Sequence, residues 1–277
     1  MTISEVINLY HDSLGNIYSP SEAKAITKIL VEEVTGLSFL AQHLKASEIL
    51  TEAQQRTLKS HLYRLLQDEP MQHVLGYEFF CGLQFEVNKN VLIPRPETED
   101  LVRWIVASEP TAKKILDIGT GSGCIAISLK HFLPNADVRG VDVSLLAIEM
   151  AKSNALKNKL DVYFSLLDIL ANEVEGTFDV IVSNPPYVGF DEKELMFPNV
   201  LKYEPALALF SQHPIHFYDV IAHKATSSLV KGGKLYFEIN EFYADEIMAL
   251  LTKCGYEDIE LKLDFAEKKR MIRAVWN

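Results

Sequence analysis

A doubly wound α/β sheet, preceded by a small helical domain and a β-hairpin, is the fold this sequence predicts, on three observations. From Lys114 onward, apolar β-branched runs alternate with helical patterns, the signature of a parallel sheet covered on both faces. A glycine loop, Gly119-Thr120-Gly121-Ser122-Gly123, stands between the first such run and its helix. Ahead of all this, residues 1–74 are glycine-poor and helical in period.

Residues 1–74 read as a helical bundle. Ser4-Glu5-Val6-Ile7 opens an amphipathic segment, and Ser19-Pro20-Ser21-Glu22 is a helix start followed by Ala25, Ile29, Leu30 and Val34 at helical spacing. Gly36 ends that helix, Ser38, Ser47 and Thr51 are candidate caps, and Gln54 to Leu66 makes a final helix before Pro70. His43, His61 and His73 read as packing or surface histidines. Residues 75–93 form a hairpin linker carrying Tyr77, Phe79, Phe80, Leu83, Phe85 and Val87, with Gly82 at the bend. The third part, residues 94–277, opens with Pro94-Arg95-Pro96-Glu97-Thr98-Glu99 ahead of a helix from Asp100 to about Ala107. Arg95, Glu97 and Glu99 admit two readings: surface charges near a helix start, or a clamp over a neighbouring ligand.

Strands are then expected at Lys114–Ile118, Ala136–Val141, Asp161–Phe164, Phe178–Val182 and Lys234–Ile239. Helices are expected at Cys124–Phe132, Ser144–Asn158, Ile215–Leu229 and Tyr243–Cys254, with Lys231-Gly232-Gly233 as a turn and a closing antiparallel pair at Asp258–Leu263 and Met271–Trp276. An irregular insert follows Tyr187.

Two loops at strand ends carry the chemistry. Ser183-Asn184-Pro185-Pro186-Tyr187 stops the fourth strand, because proline lacks an N–H and fixes φ. The Asn184 side-chain oxygen and the Pro185 carbonyl are two acceptors that can grip both hydrogens of an NH₂ group. Tyr187 offers a flat face for a planar group. In the glycine loop, glycines let backbone approach a ligand closely and the free N–H groups at the helix start favour an anionic group, and Asp142, at the tip of the second strand, is placed to take both hydroxyls of a ribose. This much fits a dinucleotide as well as S-adenosylmethionine. Asp117 before the loop, suited to a cationic amino-acid end, favours the latter. So do Asp168 after the third strand, suited to an adenine amino group, and above all the Asn-Pro-Pro-Tyr turn, which has no use in hydride transfer.

The formal net charge of −11 argues against gripping bare nucleic acid by its phosphates. Three scattered cysteines suit a reducing cytosol. The N-terminus lacks the pattern of a signal peptide and no apolar run reaches membrane-span length, so a cytoplasmic location is expected. His213 and His216 share a helix face without completing a metal set, so no metal is expected.

Four stretches make the chain resemble the PrmC/HemK family of protein-(glutamine-N5) methyltransferases: Leu92 to Glu99, Leu116 to Gly123, Ser183 to Tyr187, and Tyr203-Glu204-Pro205-Ala206-Leu207. The resemblance implies a class I, Rossmann-like methyltransferase that uses S-adenosylmethionine to methylate the glutamine of the Gly-Gly-Gln motif in peptide-chain release factors. It implies a cofactor site of Asp117, Gly119, Thr120, Gly121, Ser122, Gly123, Asp142, Asp168, Ile169 and Asn184. Catalysis and glutamine binding would fall to Asn184, Pro185, Pro186 and Tyr187, with Arg95 joining in substrate binding and residues 1–74 recognising the factor. A monomer without direct nucleic-acid or membrane contact is expected. The alternative is a methyltransferase for exocyclic base amines, adenine N6 or guanine N2, which suit the same turn. Two departures stand out: Glu238-Ile239-Asn240 replaces an expected Glu-Ile-Gly, read as left-handed backbone that asparagine tolerates, and Asp264 to Arg270 lacks the usual glycine.

Overall fold

The computed structural model describes residues 1–189, 192–193 and 196–277, so the expected insert after Tyr187 lies partly outside the described residues. Three of the first five helices begin where side chains satisfy free backbone N–H groups. They are α1 (Ile3–Leu14), α2 (Pro20–Thr35), α3 (Phe39–Leu44), α4 (Glu52–Leu65) and α5 (Met71–Leu75). Thr2 with Glu5, Ser19 with Glu22 and Thr51 with Gln54 form reciprocal capping boxes on α1, α2 and α4. Ser38 sits at the N-cap of α3 without a side-chain bond, and Ser47 opens no helix. Gly36 and Gly76 close α2 and α5 in left-handed conformation. These helices bury Ile3, Val6, Tyr10, Leu30, Leu58 and Leu62 against one another. Arg64 forks onto Glu69 at 2.7 and 2.6 Å and also donates to the carbonyls of His73 and Val74, covering the end of α5. This helical unit comprises residues 1–76 and, from far along the chain, residues 198–203.

The second unit starts with a hairpin, β1 (Tyr77–Phe80) and β2 (Leu83–Glu86). Cys81 (φ 51°) and Gly82 (φ 79°) form its two-residue turn, both left-handed as a primed turn requires. Helix α6 (Pro96–Ser108) begins four residues before Asp100, where the sequence pattern placed it. Pro96 is pre-organised for a first turn and its missing N–H costs nothing there, so Glu97 and Glu99 fall inside the helix.

The main sheet then assembles. Its elements are β3 (Lys114–Ile118), α7 (Cys124–Phe132), β4 (Asp137–Asp142), α8 (Leu145–Lys157), β5 (Tyr163–Leu166) and β6 (Phe178–Ser183). After β7 (Val188–Gly189), α9 (Pro198–Tyr203), α10 (Ala206–Leu209) and β8 (Phe210–Ser211) come α11 (His216–Ser228), β9 (Leu229–Glu238), α12 (Ala244–Lys253), β10 (Glu257–Leu263) and β11 (Lys269–Trp276). Seven strands align in the order β10-β11-β9-β6-β3-β4-β5. Those from β9 to β5 are parallel, and β11 and β10 add antiparallel. Alternate residues of β6 enter opposite cores: Val180 and Val182 meet α6, α7 and α8, whereas Ile181 meets α11 and α12. Burial on both faces accounts for its near-continuous apolar sequence.

Three local expectations change. Lys231-Gly232-Gly233 is a bulge inside β9, the pairing stepping from Phe178–Leu229 to Val180–Lys234. Asn240 is not left-handed: at φ −74° its side chain accepts from the Phe242 N–H and caps a short 3₁₀ turn. In the loop after β10, Glu267 takes the left-handed position (φ 61°), and Asp264 holds the loop by accepting from the N–H groups of Ala266 and Lys268. Among the described residues no helix is long and apolar enough to cross a membrane.

Gly140 on β4 allows the glycine loop to lie close to the sheet. A Cβ there would stand 2.6 Å from Phe164 Cε1 and 2.7 Å from the Thr120 hydroxyl oxygen. Gly140→Ala is expected to destabilise the second unit by about 1–3 kcal/mol through overpacking, read as a lower urea midpoint.

Candidate active site

Strands β3 and β6 lie side by side with Ile118 opposite Ser183, and the Ser183 hydroxyl donates to the Ile118 carbonyl at 2.7 Å. The chain therefore leaves both strands at one level, with Gly119 beginning one loop and Asn184 the other. This is the topological switch point of the sheet, where open α/β folds bind ligands.

The glycine loop is held from beneath. The N–H groups of Gly119 and Thr120 both donate to the Val141 carbonyl at 2.9 Å. Gly121 N–H donates to Asp142 Oδ2 and Ser144 N–H to Asp142 Oδ1, each at 2.9 Å. Gly119 and Gly121 have positive φ and face open space, so the backbone itself forms a wall. Asn154, wholly buried, donates to the Ser122 carbonyl at 2.9 Å and exchanges bonds with the Glu86 backbone, tying the loop to the hairpin.

A cavity of about 240 Å³ opens above these two loops. Gly119, Gly121, Asp142, Asp168, Ile169, Asn184, Pro185 and Pro186 line it, as do Leu92, Leu207 and Phe217. Thr120 and Ser122 are buried in the loop, and Thr120, Ser122, Gly123, Asp117, Tyr187 and Arg95 are not among the residues that line the cavity. Asp117 is fully buried; one oxygen accepts from Thr120 Oγ1 at 2.6 Å and the other has no hydrogen-bond partner among the described residues. Burial pushes its carboxyl up to about 7. Burial also raises the Asp142 carboxyl. Tyr187 packs on the core that contains Ile181 and Phe237, and burial raises its phenol.

Asn184 is backed by residues that the sequence did not single out. Its Nδ2 lies 3.5 Å from Thr98 Oγ1, and that hydroxyl donates to Glu238 Oε2 at 2.6 Å. Thr98 and Glu238 are both buried. Burial pushes the Glu238 carboxyl up to about 7, against the Thr98 hydrogen bond and the Arg270 charge. Arg95 stands at the N-cap of α6, as a charge near a helix start, and pairs with Glu204 at 2.6 Å, whose side chain is 1 % exposed and also accepts from the Ile93 N–H. The one sequence signal for Glu238 is an acid closing an otherwise apolar strand, Leu235-Tyr236-Phe237.

The lining suits a nucleoside with a polar tail. Each Asp142 oxygen has taken one backbone N–H and keeps a lone pair for a hydroxyl. Bare loop backbone and the apolar Ile169, Leu167 and Ala147 complete a set that fits S-adenosylmethionine.

A release factor glutamine methyltransferase of Bacteroides thetaiotaomicron is 42% identical over 266 residues, 95% of this chain and 96% of the relative. The chain belongs to the release factor glutamine methyltransferase family. A second member, from Flavobacterium psychrophilum, is 41% identical over 99% of both chains. Residues 5–76 match the PrmC N-terminal domain and residues 98–201 the methyltransferase small domain. Two solved structures share the fold. A methyltransferase from Pyrococcus furiosus has TM-score 0.55 at 21% identity, over 78% of this chain and 98% of its own. A T. thermophilus 16S rRNA N2 methyltransferase in complex with AdoMet and guanosine has TM-score 0.51 at 18% identity, over 73% of this chain and 50% of its own. The class I fold, the enzyme class and the cofactor class expected from the sequence are those of this family.

The buried Asp117 has a consequence for stability. Its carboxyl is raised from 3.8 to about 7 in the folded state, so the folded chain holds the extra proton and loses that stabilisation as pH rises through this interval. Asp117→Asn should remove this dependence. Between pH 5 and 7 the parent is expected to lose stability relative to the variant, by on the order of 1 kcal/mol per pH unit, measured by urea unfolding without ligand.

Proposed function

We propose that this protein transfers a methyl group to the side-chain amide nitrogen (N5) of the Gly-Gly-Gln glutamine in peptide-chain release factors. The observation that carries the reading is the pair of acceptors at the carboxyl end of β6. Asn184 and Pro185 stand on the cavity wall beside the glycine loop, on a turn stiffened by two prolines. The naming of full-length relatives as release factor glutamine methyltransferases supports it.

In this reading Asp142 holds ribose hydroxyls, Asp168 and Ile169 flank the adenine, and the backbone of Gly119 to Gly123 follows the rest of the cofactor. Asp117, from beneath the loop, favours its cationic end. S-adenosylmethionine, when bound, supplies an electrophilic methyl group. The Asn184 Oδ1 and the Pro185 carbonyl each accept one hydrogen of the glutamine NH₂, and the Tyr187 ring backs the planar amide. An amide nitrogen is a poor nucleophile because its lone pair is delocalised into the carbonyl. Two fixed acceptors point that nitrogen into the cavity and favour its loss of planarity, which is positioning with electrostatic help. Methylation makes the nitrogen cationic and strongly acidic, so the proton leaves without a tuned base. Arg95, through its bond to Glu204, fixes the segment that carries Leu92.

We assign recognition of the factor body to the helical unit. Phe39, Leu40, Leu44 and Ile49 are exposed around α3, an apolar surface of the kind that marks protein interaction.

The test is transfer of labelled methyl from S-adenosylmethionine to an unmethylated release factor, beside the same factor with its Gly-Gly-Gln glutamine replaced. Label is expected on the first alone. Label on nucleic acid instead would move the assignment to an exocyclic base amine. Asn184→Ala should lower kcat by about 10²-fold, as loss of one well-placed polar group does in other preorganised sites.

A further inference from the structure

The Asn184 amide can sit in its groove in two orientations related by a half-turn, and only one of them offers an oxygen to a substrate. We propose that Thr98 and Glu238 are positioning residues that select this orientation: Glu238 takes the Thr98 hydroxyl hydrogen, and the hydroxyl then accepts from the Asn184 NH₂. This rests on the role given above to Asn184.

The argument is one of counting hydrogens. A threonine hydroxyl has a single hydrogen and two lone pairs. That hydrogen is committed at 2.6 Å to Glu238 Oε2, in a site where both side chains are buried. What remains toward Asn184 is lone pairs. They welcome the NH₂ end, found at 3.5 Å, and repel the oxygen end. A planar amide pinned by its nitrogen turns its oxygen away from Thr98, and Asn184 lines the cavity. Catalytic hydrogen bonds of this length in ligand-free sites commonly tighten once substrate is bound.

The arrangement depends on Glu238 being ionised. Protonated, Glu238 becomes a donor; the Thr98 hydroxyl can accept from it and turn its own hydrogen toward Asn184, where it would now attract the oxygen end. The charged groups around Glu238 are Arg270 from β11 and Glu97 from α6, with the phenols of Tyr187, after β6, and Tyr218, on α11. The Tyr218 hydroxyl donates to the Glu238 backbone carbonyl at 3.0 Å and not to the carboxylate, which takes the Thr98 hydroxyl and is also hydrogen-bonded by the Asn184 side chain, so both acceptors favour the NH₂ end. Burial raises this carboxyl to about 7, so the orienting bond weakens within the range in which activity is measured. Turnover should fall as pH drops through the Glu238 transition.

The experiment compares Thr98→Val, Thr98→Ser, Glu238→Gln and Asn184→Ala with the parent, each with S-adenosylmethionine binding measured by calorimetry as a check on folding. Thr98→Val keeps shape and removes the hydroxyl; kcat on a release factor should fall about tenfold or more, with the cofactor Kd within about threefold. Thr98→Ser should restore most of the loss, because the hydroxyl returns. Glu238→Gln keeps an acceptor for Thr98 but cannot titrate, so the acid limb of kcat seen in the parent should flatten or move to lower pH. Asp117 titrates in both proteins and drops out of the comparison. A Thr98→Val enzyme with parental kcat, or a Glu238→Gln enzyme with the parental pH profile, overturns the proposal. If Asn184→Ala is itself fully active, it is the role of Asn184 that fails; if Asn184→Ala is crippled while Thr98→Val is not, only the positioning role fails.

Discussion

The site depends on the register of β3 against β6. Ile118 opposite Ser183 is the last rung of that parallel pairing, and the Ser183 hydroxyl bonds across it. Because a strand shifted by one residue presents the opposite face, this rung decides two things together. It keeps Val180 and Val182 in one core and Ile181 in the other, and it brings the glycine loop and the Asn184 turn out of the sheet at the same height. Burial of apolar side chains thus enforces the geometry of polar groups that lie beyond the ends of the strands.

The polar groups are themselves costly to hold. Asp117 and Glu238 are both buried carboxyls raised to about 7. A protein selected for stability alone would not keep unpartnered acceptor capacity in its interior. Among the described residues no group bonds the second oxygen of Asp117 beneath the loop, and Glu238 lies behind the turn. The two acids stand behind the two ligand-facing loops, one for each, which is where perturbed groups are expected to collect in an enzyme.

The fold and the cavity wall were largely legible in the sequence, because they are written locally. Val180-Ile181-Val182 announces a doubly buried strand, Pro185 and Pro186 announce its end, and three glycines announce a loop. The support behind the wall was not legible. Thr98, Asn184 and Glu238 are separated by 86 and 140 residues along the relevant bonds. Each belongs to a residue type common in ordinary surfaces. Asn154 hides in the same way: on an amphipathic helix it reads as one more polar residue, yet it is buried and serves two backbones. Arg95 shows the converse, a residue whose prominence in a motif reflects an ion pair with the buried Glu204. Asn240 shows that a motif departure can be resolved by a different device, a side-chain cap in place of a left-handed glycine.

The helical unit is not contiguous in the chain. Its last piece, α9, arrives at Pro198–Tyr203, and Lys202 Nζ and the Tyr203 hydroxyl both donate to the Gln67 carbonyl, at 2.9 and 2.8 Å. During synthesis the ribosome has made Gln67 long before it makes these donors, an interval of roughly 7–27 s at usual elongation rates. The nascent helices can collapse on their own apolar core, but that carbonyl must rely on water until most of the methyltransferase sheet has been translated. A partner or chaperone that meets the emerging chain in this window meets an N-terminal unit still missing its final helix.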